Sequence, residues 1–190
     1  MSFTLGDKTA AQLKIRLLEE TQIPVLSETR DRTVNIPGRS GTWDFGADLG
    51  PRYFKLECGF IDSILDSSTK LQAAVRDLAA HLVNASGKPR DLSLEFDREP
   101  GKVWTVRYAG SLPIQRRLYH SKGFFTLPLT AFDPHAYVTE KNQEATITTS
   151  PTEINVEVEG NVGTPAVIVI RNNGANTING FTLRREIEEE

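Results

Sequence analysis

Apolar and polar side chains alternate in short runs through much of the first two-thirds of the chain, the pattern of half-buried β-strands. Tyr53-Phe54-Lys55-Leu56-Glu57-Cys58 predicts a strand with Phe54, Leu56 and Cys58 inward. Leu92 to Phe96 and Val103 to Tyr108 alternate on either side of Pro100-Gly101 and predict a hairpin. Leu92, Leu94 and Phe96 share one face of the first arm, and Trp104, Val106 and Tyr108 one face of the second. Gly110 to Pro113 breaks the run, and Ile114 to Tyr119 can resume it. Phe125, Leu127 and Leu129 mark a last strand, which Pro128 assigns to an edge or a bulge.

One segment has the helical period instead. Leu71, Ala74, Val75, Leu78 and Leu82 form a single stripe and predict a helix over 69–84. Asp66, Ser67 and Ser68 are its N-cap candidates, and Asn84 to Gly87 with Pro89 supplies the stop. A lone amphipathic helix in a β-rich chain covers one face of a sheet. Ala10 to Glu20 supports either a helix, by propensity, or a strand, through Leu13-Lys14-Ile15-Arg16-Leu17; Ile23-Pro24 ends it.

Two stretches lack a clear period. Residues 27–51 hold Gly38, Gly41, Gly46 and Gly50, two prolines and charges of both signs, with Trp43 and Phe45 among them. Connections this long are functional loops or arms more often than fillers, so the two aromatics are expected to pack on this domain or a neighbour. After Tyr137 the composition shifts. Residues 138–153 are linker-like; Ile154, Val156 and Val158 then alternate with polar residues, and Ala166 to Ile170 is a continuous apolar run expected to be buried on both faces. Asn173-Gly174 and Asn179-Gly180 are turn signals, with a further strand from Phe181. Three or four strands are too few for a whole sandwich, so 139–190 is expected to open a second β-domain that is cut short or completed by another chain.

Composition narrows the function by exclusion. Hydrophobic residues make up 38% of the 190, with nine Phe, four Tyr and two Trp, enough for a core. The net charge of −3 disfavours tight binding to nucleic acid. A single cysteine, Cys58, excludes a disulfide framework. No basic leader precedes an apolar run, and no apolar run approaches ~18 residues, so the expectation is synthesis in a cytoplasm without membrane insertion. His81, His120 and His135 have no metal-ligand spacing, and no nucleophile elbow, P-loop or dinucleotide fingerprint is present. Pro37-Gly38-Arg39-Ser40-Gly41 lacks the helix a phosphate cradle needs. Arg116-Arg117 with Tyr119, His120 and Lys122 reads as a solvated face or interface rim. The expectation is a protein that is not an enzyme, with no catalytic, cofactor or metal residues and no cofactor.

The ordered set of motifs resembles a known family. Phe3-x-x-Gly6, Ile36-Pro37-Gly38-x-x-Gly41, the strand Phe54-Lys55-Leu56, the Leu-rich helix, the Leu92–Tyr108 hairpin, Phe125-x-Leu127-x-Leu129 and Phe132-Asp133-Pro134-His135-Ala136-Tyr137 are similar in order to the N-terminal domain of siphophage distal tail proteins. The resemblance covers about residues 1–140, and Gly163 to Ile170 resembles the start of that family's galectin-like outer domain. It implies a mainly β fold with one covering helix (α+β): a split-barrel-like domain over 1–138, with 27–51 as its long arm, followed by part of a β-sandwich over 139–190. It further implies a structural virion protein of the phage tail, a homohexameric ring around the DNA exit channel. The implied partners are the tail tube protein, tail-tip proteins and a receptor-binding protein, with DNA only in transit. An alternative function is a carbohydrate- or receptor-binding β-sandwich module. Mild negative charge suits a conduit, so the channel lining is expected to be neutral or acidic on balance. Phe132 and Tyr137 are expected to pack at the junction of the two domains, with Pro134 fixing the turn.

Overall fold

A computed structural model of the chain describes residues 2–60, 67–116, 122–156, 160–163, 165–184 and 186. The chain forms two compact units, Met1–Lys141 and Asn142–Glu190. The first holds every regular element among the described residues: β1 (Phe3–Leu5), β2 (Lys8–Thr9), β3 (Arg16–Leu17), β4 (Thr29–Val34), β5 (Trp43–Leu49), β6 (Arg52–Phe60), α1 (Ser68–Leu82), β7 (Asp91–Phe96), β8 (Val103–Tyr108), β9 (Gln115–Arg116) and β10 (Gly123–Ala131). The fold is thus mainly antiparallel β with one helix, as the alternation implied.

Eight strands form one sheet in the order β2-β1-β7-β8-β10-β6-β3, with β9 also on β10. The sheet curls on itself. β6 and β7 are three strands apart, roughly 14 Å in a flat sheet. Yet the Phe54 ring of β6 lies 6.1 Å from Phe96 of β7 and 5.7 Å from Trp104 of β8. The inward faces named by the sequence meet in that curl, where Phe54, Leu56, Cys58, Leu92, Leu94, Phe96, Val106, Leu127 and Leu129 are buried. Among the described residues β2 and β3 do not pair with each other, which leaves the barrel split. Burial pushes the Cys58 thiol up to about 12, in keeping with a small core side chain.

The helix covers this core with Leu71, Ala74, Leu78 and Leu82. Ser67 caps it by accepting the Lys70 N–H at 3.3 Å. It stops at Leu82, two residues before the predicted end, because Val83 leaves for an isolated bridge with Pro89. His81 also turns inward and donates Nε2–H to the Leu5 carbonyl at 2.8 Å, tying α1 to β1. Gly6, at φ +63°, makes room for it: a Cβ there would lie 3.0 Å from Leu92 Cδ2 and 3.4 Å from His81 Cε1.

Three expectations are corrected. Pro128 does not mark an edge, for β10 is central. It pairs with β6 along its whole length, while its other side faces β9 at Gly123-Phe124 and β8 at Leu129-Thr130. Pro128 falls between those two partners, where no strand needs its missing N–H; its carbonyl accepts from Ala109 at 3.3 Å. The ambiguous segment 10–20 becomes neither a helix nor a long strand. One turn, closed by Leu13 N–H on the Thr9 carbonyl, leads through Lys14 at φ +59° into the two-residue β3. The strands expected after residue 153 are not seen: the described residues of the second unit carry no strand, and Val167 to Ile170 are exposed. A strand is held by a partner ladder and a face to bury, and a few segments of a β-rich pattern supply neither.

Two substitutions test this account. Leu127→Ala removes a fully buried side chain from the central strand, with an expected loss of about 2–5 kcal/mol, read as a lower urea midpoint at unchanged slope. Gly6→Ala should cost about 1–3 kcal/mol by combining a left-handed backbone with a clash at Leu92 and His81; a melting temperature equal to that of the parent would disprove it.

Candidate assembly surface

The arm over 27–51 is not a structureless loop. β4 and β5 pair antiparallel from Thr29↔Leu49 to Val34↔Trp43, forming a two-stranded ribbon separate from the main sheet. The register shifts between Asp31 and Thr33, so that Phe45 and Gly46 together oppose Arg32. Gly46 supplies φ +91° at this bulge, and Asp44 Oδ1 accepts its N–H at 2.8 Å. Gly38 and Gly41, both at φ +82°, turn the tip. Sequence reasoning missed these strands because neither face is buried. Thr-Arg-Asp-Arg-Thr-Val has no apolar alternation to find in β4, whereas Trp43, Phe45, Ala47 and Leu49 alternate with Asp44, Gly46 and Asp48, the local signal that could have found β5.

Every residue of both strands is exposed. Alternation from the Val34↔Trp43 pair places Arg30, Arg32, Val34, Trp43 and Asp48 on one face of the ribbon. The 2.7 Å bond from Arg32 Nη2 to Asp48 Oδ1 lies on that face. Trp43 is 48% and Phe45 61% exposed, with Val34 and Ile36 near half. The Arg39 guanidinium stacks over Trp43 at 4.6 Å from its ring centre. The aromatics therefore do not bury against their own domain. At the root, Gly50 N–H donates to the Glu28 carbonyl at 2.8 Å and Arg52 Nη2 to the Val25 carbonyl at 3.0 Å.

The boundary motif folds back on β8. Tyr137 exchanges both backbone hydrogen bonds with Val103 at 2.8 Å. Asp133 accepts the Tyr137 hydroxyl on one oxygen and the His135 N–H at 3.0 Å on the other. The Tyr137 hydrogen bond is the main cause that holds the Asp133 carboxyl below the usual range, and it raises the Tyr137 hydroxyl in turn. Arg107 grips Asp91 with two bonds of 2.8 and 3.0 Å, which lowers the Asp91 carboxyl, and lies 5.2 Å from the Phe132 ring centre. Within the first unit, Phe132 and Tyr137 are 59% and 53% exposed.

The residues weighed for chemistry stay apart. Among the described residues no three metal-binding side chains cluster. His81 serves the core, and its Nδ1 is 3.7 Å from the exposed Asp7 carboxylate. Arg117, Tyr119 and His120 of the basic cluster lie outside the described residues, while Arg116 donates to Gln72. No helix is long and apolar enough to cross a membrane among the described residues.

Comparison with known proteins accords with this geometry. No curated protein sequence matches the chain. The fold is similar to the crystal structure of the Dit protein of phage SPP1, described as a paradigm of the hub adsorption apparatus in Gram-positive infecting phages. The TM-score is 0.59 at 15% identity, over 72% of this chain and 51% of that one. The chain thus spans about half the length of that protein, and the likeness is one of fold. Residues 8–131, most of the first unit, match the family described as the phage tail protein RIFT-related domain, and to that family of phage tail proteins the chain belongs.

Proposed function

We propose that the chain is a structural subunit of the hub at the distal end of a long, non-contractile phage tail. Six copies form a ring around the DNA exit channel, between the tail tube and the proteins of the tip. The role is mechanical rather than catalytic. The observation that carries this reading is the arm: an exposed ribbon that presents Trp43 and Phe45 away from its own core. A two-stranded ribbon is marginal by itself in water. One that displays aromatics gains stability by seating them on another surface. A head-to-tail ring offers each copy such a surface on the next, because its interface is heterologous and closes by rotation. Similarity to a protein described as a hub adsorption apparatus agrees with this reading.

Replacing 28–50 with a short glycine-serine turn tests it, since the root already holds residues 28 and 50 together. The expected result is a folded domain with the parent's cooperative melt that has lost its assembly. Light scattering should then give a single protomer, lighter than the parent's 21.1 kDa by the residues removed, where the parent gives about six times 21.1 kDa. Rings that persist without the arm would sink the clasp.

A further inference from the structure

The second unit carries two Asn-Gly steps, Asn173-Gly174 and Asn179-Gly180, and the structure sets them in different surroundings. All four residues are exposed. Asn is among the chemically labile side chains. Its own backbone can attack it: the nitrogen of the next residue reaches the side-chain amide carbon, and a glycine there puts no Cβ in the way. At the first step that nitrogen is held. Gly174 N–H donates to Asn172 Oδ1 at 2.9 Å, and Asn172 Nδ2 donates in turn to the Asn176 carbonyl at 2.8 Å. The Asn172 amide thus spends both its ends on one turn, with Asn173 enclosed in it. At the second step there is no such clamp. Among the described residues nothing hydrogen-bonds to the Gly180 N–H or to the Asn179 side chain, and the space beside Gly180 is open.

An attacking nitrogen must give up its proton and swing toward the preceding side chain. The bond to Asn172 opposes both at Gly174, and nothing opposes either at Gly180. We propose that Asn179 is a self-modification site of the second unit. The Gly180 nitrogen bonds to Cγ of Asn179, the side-chain nitrogen takes up the proton and leaves as ammonia, and a cyclic imide closes. Water then adds at either imide carbonyl and opens the ring to an aspartyl or an isoaspartyl residue. Water is the only co-reactant and ammonia the only by-product. The formal net charge of −3 becomes one unit more negative. Asn173 follows more slowly, because the Asn172 clamp must open before its glycine nitrogen can react. The net worth of one hydrogen bond sets that lag at roughly two- to tenfold. The site stands whether or not the chain forms a ring.

The test holds the full chain in mildly alkaline buffer, samples it over days and digests each sample with trypsin. Cleavage after Arg171 and Arg184 releases both steps in one peptide, 172–184. Fragment masses locate each new carboxylate, and isoaspartyl methyltransferase labelling gives the isoaspartyl share. Carboxylate at 179 should accumulate roughly two- to tenfold faster than at 173. Asn172→Ala should raise the rate at 173 to that at 179 and leave 179 unchanged. Gly180→Val should stop conversion at 179 alone. In urea, where the turn is lost, the two rates of the parent should converge. An Asn179 that stays an amide, or that converts no faster than Asn173, overturns the proposal. A rate difference that persists in urea, or an unchanged rate at 173 in Asn172→Ala, overturns the clamp as its cause.

Discussion

Nine consecutive residue pairs join β6 to β10, from Gly123↔Phe60 to Ala131↔Arg52, and among the described residues no other ladder is as long. The register puts Phe54, Leu56 and Cys58 on the same face as Phe125, Leu127 and Leu129, and all six are buried. Burying each large side chain of that set is worth about 1.5–3 kcal/mol, and a slip of one residue would turn the whole set to solvent. Everything else is referred to this pair. β3 adds to the outer side of β6, β8 and β9 share the far side of β10, and the β7–β8 hairpin carries β1 with it. The curl that brings Phe54 onto Phe96 and Trp104 then closes the core from within.

That constraint explains what was legible in the sequence. Where a strand has one buried face, its residues alternate. The inward sets of β6, β7, β8 and β10 could thus be named residue by residue, and the stripe of α1 could be named from its period. Pro128 misled because the rule about proline concerns the missing N–H, and a sequence does not show which side of a strand lacks a partner. β10 is central on one side and interrupted on the other, so proline fits without an edge. The arm was hidden for the opposite reason. Its strands are held by mutual hydrogen bonds, a bulge and a root closure; with no buried face, β4 has no apolar alternation, and that of β5 stands among glycines and charges that read as a loop. The Asp133–Tyr137 bond and the half-exposed Phe132 were out of reach because they depend on what lies beside the motif in space.

The second unit shows the limit of local pattern in another way. Val167-Ile168-Val169-Ile170 has the composition of a buried strand, yet it lies exposed and unpaired. β-propensity measures how well a side chain fits a pleated surface that neighbours already provide. Without the neighbouring ladder, four β-branched residues in a row remain a segment of high strand potential and no strand. The same reasoning separates the two units energetically: the first has a core of its own, while the described apolar residues of the second are exposed.

The first unit also divides its labour. Residues that hold the fold together are almost all inside the curled sheet, while the arm draws on none of them. Its ribbon meets the domain at the Val25–Ser27 and Gly50–Arg52 root, and its aromatics face solvent. The arm can therefore change its surroundings without disturbing the β6–β10 ladder, because the two share only the root. The cost of exposing Trp43 and Phe45 in a free protomer is partly offset by the Arg39 stack and by the charged residues that alternate along the ribbon. Those charges, together with the bulge at Gly46, also blunt the free edges against indiscriminate strand pairing. The root is where the arm meets the core, since Arg52 belongs at once to the arm's base, to the end of the main ladder and to the ring of Trp104.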